Sequence, residues 1–469
     1  MNEKPLALLP ELLLLLGAVT ALLCGSFLPR GRQSVAGWVA ASALAGSLIA
    51  GAVAAAGSAE TVYDHSYAID TATSTARIVV PAATLLIIAL ASTRVAGDRR
   101  QSEFYVLALL ASLGAVLLSG ASDLLVLAVA YLLATIPLYG LAGWGRDTGG
   151  AEAALKLYLM GALAGVIMLA GISLLYAGAG VTRYDELIGG LPAAPTGVVA
   201  VGVVALLAGL LFKAGAVPMH FWVPDAVQGA TTGAAALLTT VPKIGALIAA
   251  YRVLTVIPVD TGWPVLLAIV SAVTMTLGNL AAFAQSVPQR LLAYSTISQV
   301  GYLLMAVAVA ASTDRALPAL LAYLAGYAVT NIGAFAVVAA LPHRPTLDDY
   351  RALARRQPWL TAALVICLLG LVGTPPTAVF VGKLTVFSAA WDGGMGWLVV
   401  LAVANTAASL FYYLRWLRPA FTGRSGHLVC EQDRARPATV VAVTAAAAAV
   451  ALGLGAGPVV DAVGHAVIR

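Results

Sequence analysis

The sequence predicts an all-α integral membrane protein of about fourteen transmembrane helices. Of its 469 residues, 61% are hydrophobic and only 10% are charged, whereas soluble domains carry about 25% charged residues. The mean hydropathy is +0.94, and the apolar runs are about 20 residues long, the length that crosses a bilayer as a helix. In lipid only helices and closed barrels satisfy the backbone, and barrel strands are shorter and alternate in polarity. We therefore expect a single polytopic membrane domain over residues 1–469.

The predicted spans follow one another through short loops. Their ranges are 6–29, 35–57, 76–97, 104–120, 122–144, 153–178, 197–222, 228–255, 263–285, 289–311, 316–341, 359–390, 396–420 and 438–460. The first span is too long for the apolar core of a signal peptide, and it lacks a cleavage site of small residues. The longest loops, 58–75 and 342–358, are too short to fold alone, so no soluble domain is expected.

Cysteine spacing and charge exclude several kinds of site. Cys24, Cys367 and Cys430 lie far apart and form no pair with the spacing of a cluster, haem or zinc site. The sequence also lacks a flavin, nucleotide or quinone-site signature, so we expect no cofactor in this chain. The net charge of +5 arises from basic residues in short loops, and we therefore expect no nucleic-acid partner.

The loop charges predict the orientation, because cytoplasmic loops are rich in Lys and Arg. The loops after odd-numbered spans hold sixteen arginines: Arg30, Arg32, Arg94, Arg99, Arg100, Arg146, Arg290, Arg344, Arg351, Arg355, Arg356, Arg415, Arg418, Arg424, Arg434 and Arg436. The other side holds five basic residues: Lys4, Arg183, Arg252, Arg315 and Arg469. We therefore expect the arginine-rich loops in the cytoplasm and both termini on the outer side.

Five basic residues remain inside the spans: Arg77, Lys156, Lys213, Lys243 and Lys383. Arg77 and Lys156 lie within a turn or two of a helix start, where long side chains can reach the membrane interface. The other three lysines lie deeper, where each costs roughly 2.5–3.5 kcal/mol on insertion scales. Burial disfavours the charged form and so favours proton exchange, and intramembrane ionisable residues mark ion or proton paths. The alternative is that each is a polar packing residue.

Two of the deep lysines lie beside helix breakers. Lys213 is followed by Pro218 and Pro224, and Lys383 follows Pro375 and Pro376. Proline inside a helix breaks or kinks it, and broken helices are tolerated where the backbone lines a polar cavity. The interrupted spans 7 and 12 are five apart and therefore run in opposite directions. This pattern predicts two inverted five-helix repeats, spans 4–8 and 9–13, although ordinary proline kinks are the simpler alternative.

Eight stretches resemble the antiporter-like membrane subunit family of NADH-quinone oxidoreductase (respiratory complex I), most closely its subunit N group. They are LLPELLLLLGA at 8–18, IPLYGLAGW at 136–144, EAALKLYLMGALAG at 152–165, FKAGAVPMHFWVPDAVQGA at 212–230, PKIGALIAAYRVL at 242–254, RLLAYSTISQVGYLL at 290–304, TPPTAVFVGKLTVFSAA at 374–390 and ANTAASLFYYLRW at 404–416. They cover nearly the whole chain in the family's order.

The resemblance implies a half-channel in each repeat, 104–255 and 263–420, joined by a chain of lysines and water in mid-membrane. By match of motif, Lys213 is the proton-carrying lysine of broken span 7, Lys243 its partner in span 8, and Lys383 the lysine of broken span 12. Lys156 matches a lysine of span 6. His220 matches a histidine that links the input path to the central axis, although a lone histidine is more often a hydrogen-bonded loop residue.

The sequence departs from the family at the position of a glutamate in span 5. That position, five residues before Pro137, holds Leu132. The family's glutamate pairs with the span-7 lysine, so Lys213 is expected to lack an acidic partner within this chain. A basic residue that usually precedes Arg290 is Gln289 here.

Three hypotheses follow. The first is a proton-translocating subunit of a complex I-type NADH-quinone oxidoreductase in a bacterial cytoplasmic membrane. NADH, FMN, iron–sulfur clusters and quinone would then be bound by its partner subunits in a hetero-oligomer. The second, motivated by Leu132, is a structural subunit of the same complex with weak or no pumping. The third is a subunit of a cation/proton antiporter or a membrane hydrogenase.

Overall fold

The computed structural model describes residues 4–422 and 436–457 as a bundle of membrane-length helices. Cys430, Arg424, Arg434 and Arg469 lie outside the described residues. The elements in chain order are α1 (Leu9–Phe27), α2 (Ser34–Ala54), β1 (Glu60–Val62), β2 (Tyr67–Ile69), α3 (Thr71–Val95), α4 (Gln101–Gly120), α5 (Leu124–Ala142), α6 (Thr148–Ala179), α7 (Tyr184–Gly190), α8 (Thr196–Ala214), α9 (Trp222–Gly229), α10 (Thr232–Thr255), α11 (Trp263–Phe283), α12 (Pro288–Ala308), α13 (Ala316–Ala340), α14 (Leu353–Arg356), α15 (Pro358–Val372), α16 (Ala378–Asp392), α17 (Gly396–Phe421) and α18 (Arg436–Leu454).

The helices confirm the predicted all-α membrane fold. Within the described residues, thirteen helices are long and apolar enough to cross a membrane. The predicted span 12 consists of α15 and α16, two shorter helices on either side of a break. Several predicted boundaries are wrong by four residues or more. Spans 3 and 6 were expected to begin at 76 and 153, but α3 begins at Thr71 and α6 at Thr148. Span 7 was expected to end at 222 and span 8 to begin at 228, but α8 ends at Ala214 and α10 begins at Thr232, because residues 222–229 form the separate helix α9.

The predicted loop 58–75 contains a small hairpin. Strands β1 and β2 pair antiparallel, with Val62 opposite Tyr67. The Tyr67 hydroxyl donates a 2.8 Å hydrogen bond to the carboxylate of Glu11 in α1. The hairpin therefore packs onto the first helix at one end of the bundle.

Three aspartates begin helices at the ends of the spans. Asp70 accepts a hydrogen bond from the backbone of Thr73, Asp123 from Leu125 and Val126, and Asp147 from Gly150. A carboxylate at this position satisfies backbone donors that have no partner within the helix. The sequence therefore uses these acids as the starts of α3, α5 and α6.

Two basic residues occupy places that the sequence did not predict. Arg77 does not reach the interface: it is fully buried and binds both carboxylate oxygens of Glu11 at 2.8 and 2.9 Å. Arg252, counted above as a loop charge, lies in the last turn of α10. It is buried and binds Asp70 at 2.7 and 2.9 Å. Charges this deep are stable only when they are paired and hydrogen-bonded, and sequence-distant partners supply that pairing.

The centre of the bundle is formed by α10 and α12. Nearly every residue of these two helices is buried, and α13 packs against both. Peripheral helices such as α1, α2 and α17 instead expose apolar side chains along one face. Lys243 lies halfway along α10, so the fold places it on the central axis of the chain.

Candidate functional site at two helix breaks

The first break separates α8 from α9. Gly215 ends α8 in a left-handed conformation with φ +80°. The Gly215 N–H donates to the carbonyls of Leu211 and Phe212, and the Ala216 N–H also donates to Leu211. This is a Schellman-type ending, in which a glycine with positive φ reverses the chain and satisfies carbonyls that would otherwise lack partners. Pro218 follows three residues after the glycine, with a cis peptide bond before it.

The second break, between α15 and α16, repeats this chemistry. Gly373 ends α15 with φ +92°. Its N–H donates to the carbonyls of Leu369 and Gly370, and the Thr374 N–H also donates to Leu369. Again a proline, Pro376, follows three residues after the glycine with a cis bond before it. The breaks predicted from the prolines are therefore confirmed, and they share one hydrogen-bonding pattern.

A lysine ammonium group lies against each break. Lys243 of α10 donates a hydrogen bond to the carbonyl of Ala214, the last residue of α8. A Cβ atom at Gly215 would come within 2.9 Å of the Lys243 nitrogen. The C-terminal end of a helix carries a partial negative charge, so an ammonium group at this position is stabilised.

Lys383 has the corresponding contact at the second break. Its nitrogen lies 2.8 Å from the carbonyl oxygen of Val372, the last residue of α15. It also lies 4.1 Å from the centre of the Tyr302 ring. A Cβ atom at Gly373 would come within 2.9 Å of the Lys383 side chain. Lys383 belongs to α16, which is part of the broken span itself. At the first break, the corresponding lysine, Lys243, comes from the neighbouring helix α10.

Lys213 lies two residues before Gly215 of the first break and contacts α5. Its ammonium group donates a hydrogen bond to the hydroxyl of Thr135 and lies 5.0 Å from the centre of the Tyr131 ring. A hydrogen bond to a charged group is worth about 1.5–3 kcal/mol, and a desolvated cation–π contact about 2 kcal/mol. Together they are comparable with the roughly 2.5–3.5 kcal/mol cost of inserting a lysine. The hydroxyl and the ring therefore offset the burial of Lys213.

Position 132 does not face Lys213 in this chain. The Leu132 side chain is 41% exposed on the outer face of α5, while Tyr131 and Thr135 point inward. Among the described residues, no carboxylate forms an ion pair with Lys213, Lys243 or Lys383.

A band of hydrogen-bonded side chains, here called the polar tier, links α10 to the second break. It consists of Thr239, Thr240, Thr296, Gln299, Tyr323, Tyr327 and Asn331. The Asn331 amide donates to Thr239 and Thr240 at 3.0 and 2.9 Å, about one turn before Lys243 on α10. The Gln299 amide donates a 2.7 Å hydrogen bond to the carbonyl of Leu371, next to Val372.

Two gaps interrupt the route from Lys243 through the polar tier to the second break. One lies along α10 between Thr239 and Lys243, and the other along α12 between Thr296 and Gln299. Each gap spans about one helical turn, or roughly 5.4 Å, a distance that one or two water molecules can bridge. Hydroxyl and amide groups can both donate and accept hydrogen bonds. The polar tier therefore offers a polar connection between Lys243 and Lys383.

Lys156 lies away from the breaks. Its ammonium group contacts Glu152 at 2.6 Å and Asp225 at 2.7 Å, and its side chain is 42% exposed. Asp225, in α9, also binds Arg290 of α12 at 2.9 Å. Lys156 is thus a member of an ion-pair cluster that holds the short helix α9 between α6 and α12.

His220 lies in the turn between α8 and α9. Its side chain is buried, and its Nδ1 atom has no hydrogen-bond partner among the described residues. The ring stacks on Phe221 at a centroid distance of 4.4 Å. The structure therefore places His220 in the turn of the first break.

Gln289, noted above as a departure from the resembled family's motif, holds the end of α9. Its amide donates to the carbonyls of Val227 and Ala230 at 2.6 and 2.9 Å. Sequence reasoning identified the substitution but not this role. The described residues contain no cluster of three or more His, Cys, Asp or Glu that could hold a metal ion.

Comparison with known proteins places the chain in a family. A model described as NADH:quinone oxidoreductase/Mrp antiporter, transmembrane, matches residues 121–409, which include both breaks and the lysines described above. The chain is 53% identical over 465 residues to NADH-quinone oxidoreductase subunit N 1 of Streptomyces griseus, covering 99% of this chain and 98% of that protein. The chain belongs to the NADH-quinone oxidoreductase subunit N family.

Two further matches agree with this subunit N assignment. NADH-quinone oxidoreductase subunit N of Mycobacterium sp. (strain JLS) is 52% identical over 444 residues, covering 94% of this chain and 95% of that protein. A chain in respiratory complex I from Thermus thermophilus with bound aureothin superposes with a TM-score of 0.82 at 32% identity, covering 96% of this chain and 98% of that one. The family resemblance predicted from the motifs is confirmed.

Proposed function

We propose that this chain is a proton-translocating membrane subunit of a bacterial NADH-quinone oxidoreductase. The observation that carries the proposal is the placement of three buried lysines at or beside two helix breaks, with no ion-paired carboxylate in the described part of the chain. A buried lysine without a counter-charge can lose its proton far more readily than an ion-paired one. Such groups suit proton exchange better than static packing.

Protons would pass along Lys213, Lys243 and Lys383, with the polar tier and intervening water joining the last two. The charge on one lysine raises the energy of charging the next, so the groups would titrate as a coupled set. A change in charge or conformation from a neighbouring subunit would then move protons in sequence. His220 would connect Lys213 to the entry path, and Lys156 would act at the margin of that path.

Two inverted repeats, 104–255 and 263–420, would each supply one half-channel. The shared hydrogen-bonding pattern at Gly215 and Gly373 supports this division. Spans 7 and 12 run in opposite directions. A lysine that precedes the break in span 7 and a lysine that follows the break in span 12 therefore lie on the same side of the breaks. Lys213 and Lys383 satisfy that relation. The arginine-rich loops would face the cytoplasm, with both termini on the outer side.

NADH, FMN, iron–sulfur clusters and quinone would be bound by other subunits of the hetero-oligomer. This chain would then receive redox energy as movement or charge at its surface rather than as electrons. The exposed apolar faces of α5 and α6 offer area for lipid or a neighbouring subunit. No nucleic-acid partner is proposed.

The test is proton pumping by the assembled complex in sealed vesicles. Lys213→Ala, Lys243→Ala and Lys383→Ala should each lower the number of protons moved per NADH oxidised. Lys4→Ala is the matched control, because Lys4 forms an exposed ion pair with Glu60 at the end of the chain away from both breaks. Unchanged stoichiometry in all three lysine variants would falsify the proposal.

A second candidate function is a structural subunit that retains the fold but pumps weakly. It is favoured by Leu132, which replaces the family's glutamate and faces outward. On this alternative the three lysines would stabilise helix ends only. Their substitution would then lower the yield of assembled complex and leave the protons moved per NADH unchanged in the complex that does assemble.

A further inference from the structure

A groove on the outer surface of the bundle lies between α15 and α17. This open groove has a volume of about 470 Å³ and is lined by Val365, Leu414, Arg415, Leu417, Arg418 and Phe421. Four of these side chains are apolar and two carry guanidinium groups. The polar tier and the three buried lysines do not line it, so the proposed proton path does not account for it.

The groove has a charged end and an apolar end. Arg418 lies in the last turn of α17, three residues before the helix ends. Leu414 lies seven residues before the end of α17, and Val365 lies seven residues after the start of α15. These two helix ends lie at the same end of the bundle, so both side chains are deeper than Arg418. Seven residues of helix correspond to about 10 Å. An amphipathic molecule could therefore place a charged group at Arg418 and an apolar chain beside Val365.

Exposed side chains continue both parts of the groove. Leu414 and Phe411 are exposed on the same face of α17 as Arg418, one and two turns respectively towards the middle of the helix. Trp359 is exposed in the first turn of α15, at the level of Arg418. Tryptophan concentrates at the membrane–water interface. The arginines therefore lie at headgroup depth, and the apolar stripe lies at the depth of acyl chains.

Neither arginine has an anionic partner among residues 4–422 and 436–457. The Arg418 side chain has no hydrogen bond or ion pair with any described residue. Arg415 donates to the carbonyls of Phe283 and Gln285 at the end of α11, which fixes its guanidinium group beside the groove. A guanidinium group has five N–H donors, so Arg415 retains donors for a further acceptor. Guanidinium groups bind phosphate oxygens in bidentate geometry.

We propose that this groove binds an anionic phospholipid, with its phosphate at Arg415 and Arg418 and an acyl chain along Val365, Leu414 and Phe411. Basic pockets between transmembrane helices at the cytoplasmic surface recognise anionic lipid headgroups by this chemistry. The lipid would fill the space between α15, the first half of broken span 12, and α17. It would thereby support the helix whose end contacts Lys383.

The test uses the assembled complex in phosphatidylcholine vesicles that contain a trace of photoactivatable lipid. Phosphatidylglycerol and phosphatidylcholine probes with the same diazirine-bearing acyl chain are compared, and labelling of the α17 peptide is quantified. The phosphatidylglycerol probe should label residues near Leu414 more strongly. Arg418→Gln should reduce this preference about fivefold, the equivalent of about 1 kcal/mol for one arginine at an anionic lipid.

Two controls keep the test decisive. Arg94→Gln removes an exposed arginine in the last turn of α3. Because successive spans alternate in direction, the ends of α3 and α17 lie on the same side of the bundle. This control should leave the labelling unchanged. Val365→Trp fills the apolar part of the groove and should reduce labelling by both probes. The proposal is overturned by equal labelling with both probes, by absence of labelling, by displacement with inorganic phosphate, or by equal effects of Arg418→Gln and Arg94→Gln.

Discussion

The Lys383 ammonium group lies 2.8 Å from the carbonyl oxygen of Val372, where α15 ends at the second helix break. Lys243 makes the corresponding bond to Ala214, where α8 ends at the first. An ammonium group stabilises the negative end of a helix, and a neutral amine does so less. The protonation state of each lysine is therefore coupled to the stability of the helix end beside it.

This coupling predicts a specific effect of Gly373→Ala. The substitution forces a Cβ into a left-handed conformation, at about 1–2 kcal/mol, and brings it within 2.9 Å of the Lys383 side chain. We expect lower thermal stability of the complex together with fewer protons moved per NADH. Both are measured on the purified complex, by thermal unfolding and by vesicle pumping.

Gly394→Ala is the matched control for that variant. Gly394 has φ +80°, but nothing lies within 4 Å of its Cβ position. It should show a comparable loss of stability with normal pumping. If both variants pump equally well, the contact between Gly373 and Lys383 has no role in translocation.

Lys156→Arg separates ion pairing from proton exchange at the margin of the path. Arginine keeps the positive charge but does not release its proton at accessible pH. The contacts of Lys156 with Glu152 and Asp225 are ion pairs at a partly exposed site. We expect Lys156→Arg to retain most pumping and Lys243→Arg to lose it. Equal loss in both variants would instead place Lys156 among the proton-exchanging residues.

The buried ion pair between Asp70 and Arg252 predicts a large effect on stability. Asp70→Asn leaves the Arg252 charge buried without its carboxylate, a change that costs about 3–5 kcal/mol. Asp392→Asn removes the partner of Arg315 in an exposed pair, where about 0–1 kcal/mol is expected. The amount of assembled complex in membranes and its unfolding temperature measure the difference. Similar behaviour of the two variants would mean that the buried pair contributes little.

Leu132→Glu tests whether the missing acid matters. The position is exposed on α5, one residue after Tyr131, so a glutamate there would lie beside the Lys213 site rather than inside it. Pumping should rise if the loss of the acid is a defect of this chain. Unchanged pumping favours an acid supplied by a neighbouring subunit across this face. Leu125→Glu, on the same exposed face but farther from Lys213, controls for the added charge.

The sequence predicted both helix breaks correctly and placed the three lysines in helices where the structure buries them, because these features depend on local composition. Apolar runs define the spans, and prolines beside Lys213 and Lys383 mark the interruptions. The same reasoning could have found the contacts of Lys213 on α5. Tyr131 and Thr135 are four residues apart and share one helix face, so both can contact the same side chain. The comparison with the family's glutamate instead pointed to position 132 as the neighbour of Lys213.

Other features depend on partners far apart in the chain. Arg252 pairs with Asp70 across 182 residues, and Arg77 pairs with Glu11 across 66. Inspection of each span alone cannot pair such residues, so Arg252 was counted with a loop and Arg77 was expected to be able to reach the interface. The hydrogen bond from Lys243 to Ala214 was also missed, since a side chain capping a different helix leaves no periodic signal.

The most direct test of the account is the number of protons moved per NADH oxidised in Lys243→Ala, Lys383→Ala and the double variant. Residues that act in one path give non-additive losses, because interrupting the path once already stops it. The account predicts that the double variant pumps no fewer protons per NADH than the more impaired single variant. Losses that add, or a ratio that stays at the wild-type value in all three, would contradict a single proton path through Lys243 and Lys383.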